Sequence, residues 1–103
     1  MAQAEYLVTD LPDGALEASA AFYDQHLQAV RTAAAGGDLV IVLPPADYDH
    51  TDWRRALARD LARACAPGRV NVIAAGDTDQ KAALLQYLAG AKGVTGHYCQ
   101  THE

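Results

Sequence analysis

Three groups of metal-competent side chains stand out in this 103-residue chain. Asp10 and Asp13 come first, then Asp47, Asp49 and His50, then Asp77 with Asp79. Each group follows a short run of β-prone residues. In an open α/β sheet all three would therefore share one rim, outside the carboxyl ends of the strands. Carboxylates gathered there could hold Mg²⁺, which protein sites usually bind through one or two carboxylates plus waters. Asp10, Asp47, Asp49, His50 and Asp77 are the candidate metal residues of this rim. Helix capping explains the same acids more simply, since a carboxylate at the positive end of a helix accepts its free N–H groups. Capping is the expected role of Asp13, Asp77 and Asp49.

The tail supplies a second constellation, His97-x-Cys99-x-x-His102. Zinc takes such ligands, but a structural site wants four of them in fixed geometry, and termini are the least ordered part of a chain. In a strand, His97 and Cys99 would share one face, so a packed last strand is the expectation. Cys65 falls on an apolar helix stripe and reads as a small buried hydrophobe.

The elements that would position these residues follow from periodicity. Tyr6-Leu7-Val8-Thr9 is a β-prone run closed by Leu11-Pro12-Asp13-Gly14, which leaves Asp13 as an N-cap. Leu16, Ala20, Tyr23, Leu27, Val30 and Ala34 recur at spacings of three and four and predict one long amphipathic helix. Gly36-Gly37 ends it. Leu39 to Leu43 is apolar without interruption, the mark of a strand covered on both faces in a parallel sheet. Pro44-Pro45 and a polar loop lead to Thr51, the expected cap of a helix with the stripe Trp53, Leu57, Leu61, Cys65. A strand over Val70–Ala74 follows the break at Pro67-Gly68. Asp77 and Gln80 have capping-box spacing before a helix that carries Leu84, Leu85 and Leu88 and ends at Gly90. A last strand is expected over roughly Val94–Cys99. The order is βαβαβαβ, with connections long enough for right-handed crossovers.

Composition narrows the functional classes. Half the residues are hydrophobic, so disorder is not expected. One domain of 103 residues can bury a single core. The net charge is −5 and the pI about 5.1, which argues against nucleic acid and anionic membrane as partners. Arg54, Arg55, Arg59 and Arg63 lie on one helix among acidic neighbours and read as a solvated face. The start, Met1–Glu5, has no basic signal-peptide pattern and no apolar run reaches membrane-spanning length. A cytoplasmic protein with reduced thiols is the expectation.

Arg69-Val70-Asn71 leading into Ala74-Ala75-Gly76, and Val94-Thr95-Gly96 after Tyr87-Leu88-Ala89, carry one family resemblance. They resemble the sixth strand and the start of the seventh strand of short-chain dehydrogenases/reductases. On that alignment the chain resembles the second half of the family's Rossmann fold, with Tyr6-Leu7-Val8 as its fourth strand and Gly36–Leu43 as its fifth. The resemblance implies a truncated, three-layer Rossmann-like domain of about four parallel strands spanning residues 1–103.

Departures from the family pattern decide the expected function. No Gly-rich loop joins a strand to a helix, so no cradle for a dinucleotide pyrophosphate is found and no cofactor is expected. Thr9-Asp10-Leu11 replaces the usual Asn-Asn-Ala-Gly, and the catalytic serine position falls near Pro44. The catalytic Tyr and Lys positions land near Asp47 and Thr51. Tyr48 is adjacent, but Asp52 stands four residues later where the family has lysine. That chemistry needs a cation beside its tyrosine, whereas Tyr48 sits among Asp47, Asp49 and Asp52. No catalytic residue is assigned.

The resemblance also implies an association surface, because the family's four-helix subunit interface is built from the two helices that match the first two here. Tyr23, Leu27, Val30, Trp53 and Leu57 are placed at that surface or beneath it. The first strand would stand at an edge where the missing half paired. The leading expectation is a non-catalytic domain that associates with itself, as a homodimer, or with a full-length reductase. A divalent-metal or small-ligand enzyme using the acidic rim, and a reductase completed by a partner chain, are the alternatives.

Overall fold

The computed structural model describes residues 3–101. Its elements are β1 (Ala4–Leu7), α1 (Ala15–Gln25), α2 (Leu27–Ala34), β2 (Leu39–Leu43), α3 (Thr51–Cys65), β3 (Val70–Ala74), α4 (Thr78–Gly90) and β4 (Tyr98–Gln100). A short 3₁₀ turn, Tyr48–His50, runs directly into α3. The strands form one parallel sheet in the order β1-β2-β3-β4. This is a truncated Rossmann-like α/β architecture.

Alternation along the strands divides the core into two layers. Leu39, Ile41 and Leu43 of β2, with Val70 and Val72 of β3, meet Phe22, Val30, Leu57 and Leu61 from α1, α2 and α3. The intervening Val40, Val42 and Ile73 face the other way and meet Leu84, Leu85 and Leu88 of α4. Every residue of β2 and β3 is buried, as the apolar run of Leu39–Leu43 requires.

The position of α4 alters the crossover expected from sequence. All three connections step the same way across the sheet, yet the first two carry their helices on one face and the third on the opposite face. A crossover that keeps its direction but changes its covering face reverses its hand. The β3-α4-β4 unit is thus opposite in hand to the other two, against a strong general preference for the right-handed form.

Three local expectations are corrected. The long first helix bends at His26, where φ is −122°, into α1 and α2. There His26 Nδ1 is hydrogen-bonded to the Tyr6 hydroxyl at 2.9 Å and the ring packs on Phe22, so the bend is anchored to β1. Its buried face is also different: Ala18 and Phe22 enter the core, while Leu16 is 82% exposed. Capping differs too. Gly14, not Asp13, is the N-cap of α1, and Thr51 lies inside α3 because the 3₁₀ turn begins earlier, capped by Asp47. Asp77 caps α4 as expected, its Oδ1 accepting the Gln80 N–H at 2.7 Å.

The two three-residue motifs lock together in space. Arg69 donates Nε to Asp38 Oδ2 at 3.0 Å and Nη1 to the Leu88 and Ala91 carbonyls at 2.9 and 2.6 Å. It therefore ties the start of β3 to the loop before β2 and to the carboxyl end of α4, where carbonyls lack helical partners. Asn71 is 1% exposed; its Nδ2 donates to the Val94 carbonyl and its Oδ1 accepts the His97 N–H, each at 3.0 Å. Thr95 Oγ1 accepts the Val70 N–H at 3.0 Å. Gly96 has φ +76°, and a Cβ there would stand 3.2 Å from the Ala62 Cβ, so glycine is required both for the turn and for the approach to α3. Consequently β4 is Tyr98–Gln100 and not the expected Val94–Cys99: Val94 and Thr95 belong to the interlock, while the Gly96 N–H and the His97 carbonyl make the first backbone bonds to β3 at Val70 and Val72.

Candidate functional site

A cleft of about 340 Å³ opens between the carboxyl ends of β1 and β2. Its walls are the loop after β1 (Thr9 to Asp13), the loop after β2 (Pro44 to Asp47), and His50 and Arg54 from the 3₁₀ turn and α3. Parallel strands place their loops on one rim, which is why residues far apart in sequence converge here.

His50 is 5% exposed and both of its ring nitrogens are engaged. Nδ1 lies 3.1 Å from the Trp53 indole nitrogen, which can only donate, so Nδ1 is the acceptor. Nε2 therefore carries the proton and donates to the Asp13 carbonyl at 2.8 Å. The imidazole clips the β1–α1 loop to α3. It offers no free lone pair to a metal.

Arg54 is the residue that sequence reasoning misjudged. It is 1% exposed, not part of a solvated face. Nη1 donates to the Tyr98 hydroxyl at 3.1 Å, and the guanidinium carbon lies 5.5 Å from the Trp53 ring centroid and 5.8 Å from that of Tyr98. Its Nε is buried with no hydrogen-bond partner among the described residues. Neither ion pair found among those residues includes Arg54. The signal was present: Arg54, Leu57, Ala58 and Leu61 follow the i, i+3, i+4, i+7 rule of a buried helix stripe.

The short chain dehydrogenase-like protein family matches residues 6–101 of this chain. The chain belongs to that family. No curated protein and no solved structure matches it. The family match covers both interlocked motifs and the whole cleft.

The resemblance puts the family's catalytic positions near Pro44, Asp47 and Thr51. Pro44 lines the cleft at the end of β2. Tyr48 is 85% exposed and lines a separate shallow depression with Thr51, Arg55, Tyr98 and Gln100. The only tyrosine hydroxyl held by a cation among the described residues is that of Tyr98, at the inner end of Arg54.

The proposed metal residues are only partly brought together. Asp10, Asp47 and His50 line the cleft, Asp77 is spent on the α4 cap, and Asp49 gives its N–H to Asp47 Oδ1 at 3.2 Å. Among the described residues no three His, Cys, Asp or Glu side chains are grouped closely enough to hold a metal ion. In the tail, Cys99 packs beside Ile73 and Leu88 in the α4 layer, and burial pushes its thiol pKa up. His97 precedes β4, and His102 lies outside the described residues.

The residues placed at or beneath an association surface separate by depth. Val30 and Leu57 have no exposed area and belong to the core. Leu27 and Trp53 are half-buried against that core, and Tyr23 is 39% exposed. Burial, and then the nearby Asp60 carboxylate of α3, raise the Tyr23 pKa above its ordinary value. No helix among the described residues is long and apolar enough to cross a membrane.

Proposed function

We propose that this chain is a non-catalytic short-chain-dehydrogenase-like domain, residues 1–103, that acts in the cytoplasm by associating with itself or with a full-length reductase. One observation carries the reading: α1 is apolar on two sides. Phe22 fills the core on one side, while Leu16, Ala20 and Tyr23 are exposed at helical spacing on the other, and Leu27, half-buried against the core, continues their line into α2. A second apolar stripe on a surface helix has no use within the chain and marks a contact surface.

The open edge of β1 supports the same reading. Ala4 and Val8 donate their N–H groups toward β2, so alternation aims the backbone groups of Glu5 and Leu7 outward, and Leu7 is 57% exposed. Unpaired edges invite pairing or cover. Loss of the catalytic serine, tyrosine and lysine positions to Pro44, Asp47 and Thr51 supports a pseudoenzyme.

Light scattering on a sizing column tests the association. The expected mass is twice the 10.9 kDa of the chain, with about 800 Å² buried per partner. Tyr23→Glu and Leu27→Glu should split the dimer and leave the far-ultraviolet circular dichroism unchanged. A monomer at tens of micromolar defeats the homodimer and leaves a different protein as the partner. Titration with NAD(H) and NADP(H) tests the pseudoenzyme reading, which fails if any binds tighter than about 100 μM. A small-ligand role is the second reading, favoured by the cleft around Arg54.

A further inference from the structure

A guanidinium withdrawn from water without a carboxylate partner is costly, and truncation to an uncharged residue would relieve that cost. Arg54 keeps its charge at 1% exposure, with Nε unpartnered, and it lines a cleft that opens to solvent. The stacking on Trp53 and Tyr98 offsets part of the desolvation. It leaves the guanidinium without a carboxylate partner among the described residues, and a guanidinium is the group that forks onto carboxylates. A chloride or phosphate would meet Arg54 too, but it would also meet the rim.

The rim has the opposite sign. Asp10, Asp13 and Asp47 line the same cleft, all three are exposed, and none is in an ion pair among the described residues. His50 adds no charge-compensating donor, because its one proton is given to the Asp13 carbonyl. The cleft is thus cationic at its base and anionic at its mouth. A simple anion would be attracted by the first and repelled by the second, and a simple cation the reverse. A molecule carrying both charges, carboxylate inward and ammonium outward, satisfies each end.

The geometry points to a binding site for a small aminocarboxylate zwitterion, its carboxylate held by Arg54 and its ammonium by Asp10, Asp13 and Asp47. The 340 Å³ cleft accommodates a ligand of amino-acid size. This site goes beyond the association reading and does not depend on it: a monomer could bind the ligand, and a dimer could lack the site.

Trp53 is the only tryptophan in the chain and lies 5.5 Å from the Arg54 guanidinium, so its emission reports on the site without a label. The probes are glycine, β-alanine and 4-aminobutyrate, which set the two charges at increasing separation, against acetate, methylammonium and inorganic phosphate. At least one aminocarboxylate should give a saturable change at about 1 mM or below, and bind at least about tenfold tighter than acetate or methylammonium. Asp10→Asn and Asp47→Asn, both at exposed positions, should each weaken that binding severalfold while leaving the melting temperature unchanged. Arg54→Gln should abolish it. Should Arg54→Gln fail to fold, the two rim variants decide the matter. No saturable response to any of the three aminocarboxylates overturns the proposal. So does acetate or phosphate binding as tightly as the best of them, or indifference of that binding to both rim variants.

Discussion

Replacing Arg69 by methionine tests whether the Arg-Val-Asn motif acts as a clamp. Methionine keeps most of the apolar stem, so the loss is confined to the guanidinium. Two carbonyls at the end of α4 would each lose the guanidinium and keep one backbone donor, Leu88 that of Ala91 and Ala91 that of Val94. Asp38 would keep only the backbone N–H of residue 69, now 2.9 Å from Oδ1. Removing one partner of a fully buried pair costs about 3–5 kcal/mol. The Asp38 side chain is 25% exposed, so water recovers part of that, and about 2–3 kcal/mol is expected. For a chain of this size that lowers the melting temperature by roughly 10–20 °C. A pH series adds an independent check. The Asp38 pKa is held below its ordinary value chiefly by the backbone N–H of Arg69, with the guanidinium contributing further, against a burial effect of the opposite sign. A carboxyl whose folded pKa lies below its unfolded value, near about 3.9, stabilises fully above that pH and loses the contribution as the pH falls through the folded value. Part of the wild-type stability should therefore disappear below about pH 4, and the Arg69→Met variant should show a smaller loss there. A melting temperature within about 4 °C of wild type, or an unchanged acid slope, would refute the clamp.

Asn71→Leu conserves approximate volume but strands the Val94 carbonyl and the His97 N–H inside the interlock. A loss of about 2–3 kcal/mol in urea unfolding is expected, with an unchanged slope. Alkylation kinetics test the depth of Cys99. With its thiol pKa raised by burial, it should react with iodoacetamide at pH 8 more slowly than an unstructured cysteine peptide, by mass spectrometry of the modified tail. Equal rates would place Cys99 in solvent.

The parts of the fold that could be read from sequence were those with one strong local signal. An uninterrupted Leu39–Leu43 run and a Gly/Pro break before Val70 leave few alternatives to buried parallel strands, and both strands have the expected bounds. The ends of the sheet were harder. Residues 94–97 have strand-like composition, but Asn71 takes their backbone groups from the other side of the motif, a tertiary effect without a local signature. The first helix misled because it is apolar on two sides. A stripe starting at Leu16 and one starting at Ala18 satisfy the same spacing, and only the packed sheet chooses between them. Arg54 was obscured by its charged neighbours Arg55 and Arg59, although its spacing to Leu57 and Leu61 put it on the buried stripe. The acidic rim was legible as a location: Asp77 and Asp47 turn their carboxylates to caps and His50 clips the Asp13 carbonyl, while the Asp10 and Asp13 residues line the cleft.

The family's scaffold residues and the positions of its catalytic pattern carry separate physical duties. Arg69, Asn71, Thr95 and Gly96 act only on backbone groups, on Asp38 and on the approach to α3, so their work is the same whatever the cleft contains. They hold β4 beside β3 through a crossover of the less favoured hand, where local preference gives no help. Removing any one of them should destabilise the fold. The positions at Pro44, Asp47 and Thr51 sit on loops and a helix start at the rim, where Asp47 caps the 3₁₀ turn and substitution touches the sheet less. A chain under this division can keep the family's scaffold while its cleft varies, and Arg54 is the buried residue of the cleft lining that packing alone explains least. It occupies a buried helix position that packing alone would fill with leucine, and it lines the cleft at the carboxyl ends of β1 and β2. Charge placed there at a cost to folding is more economically explained by a ligand than by the scaffold, which is why the cleft, and not the outward helix stripe, is the place to look for chemistry.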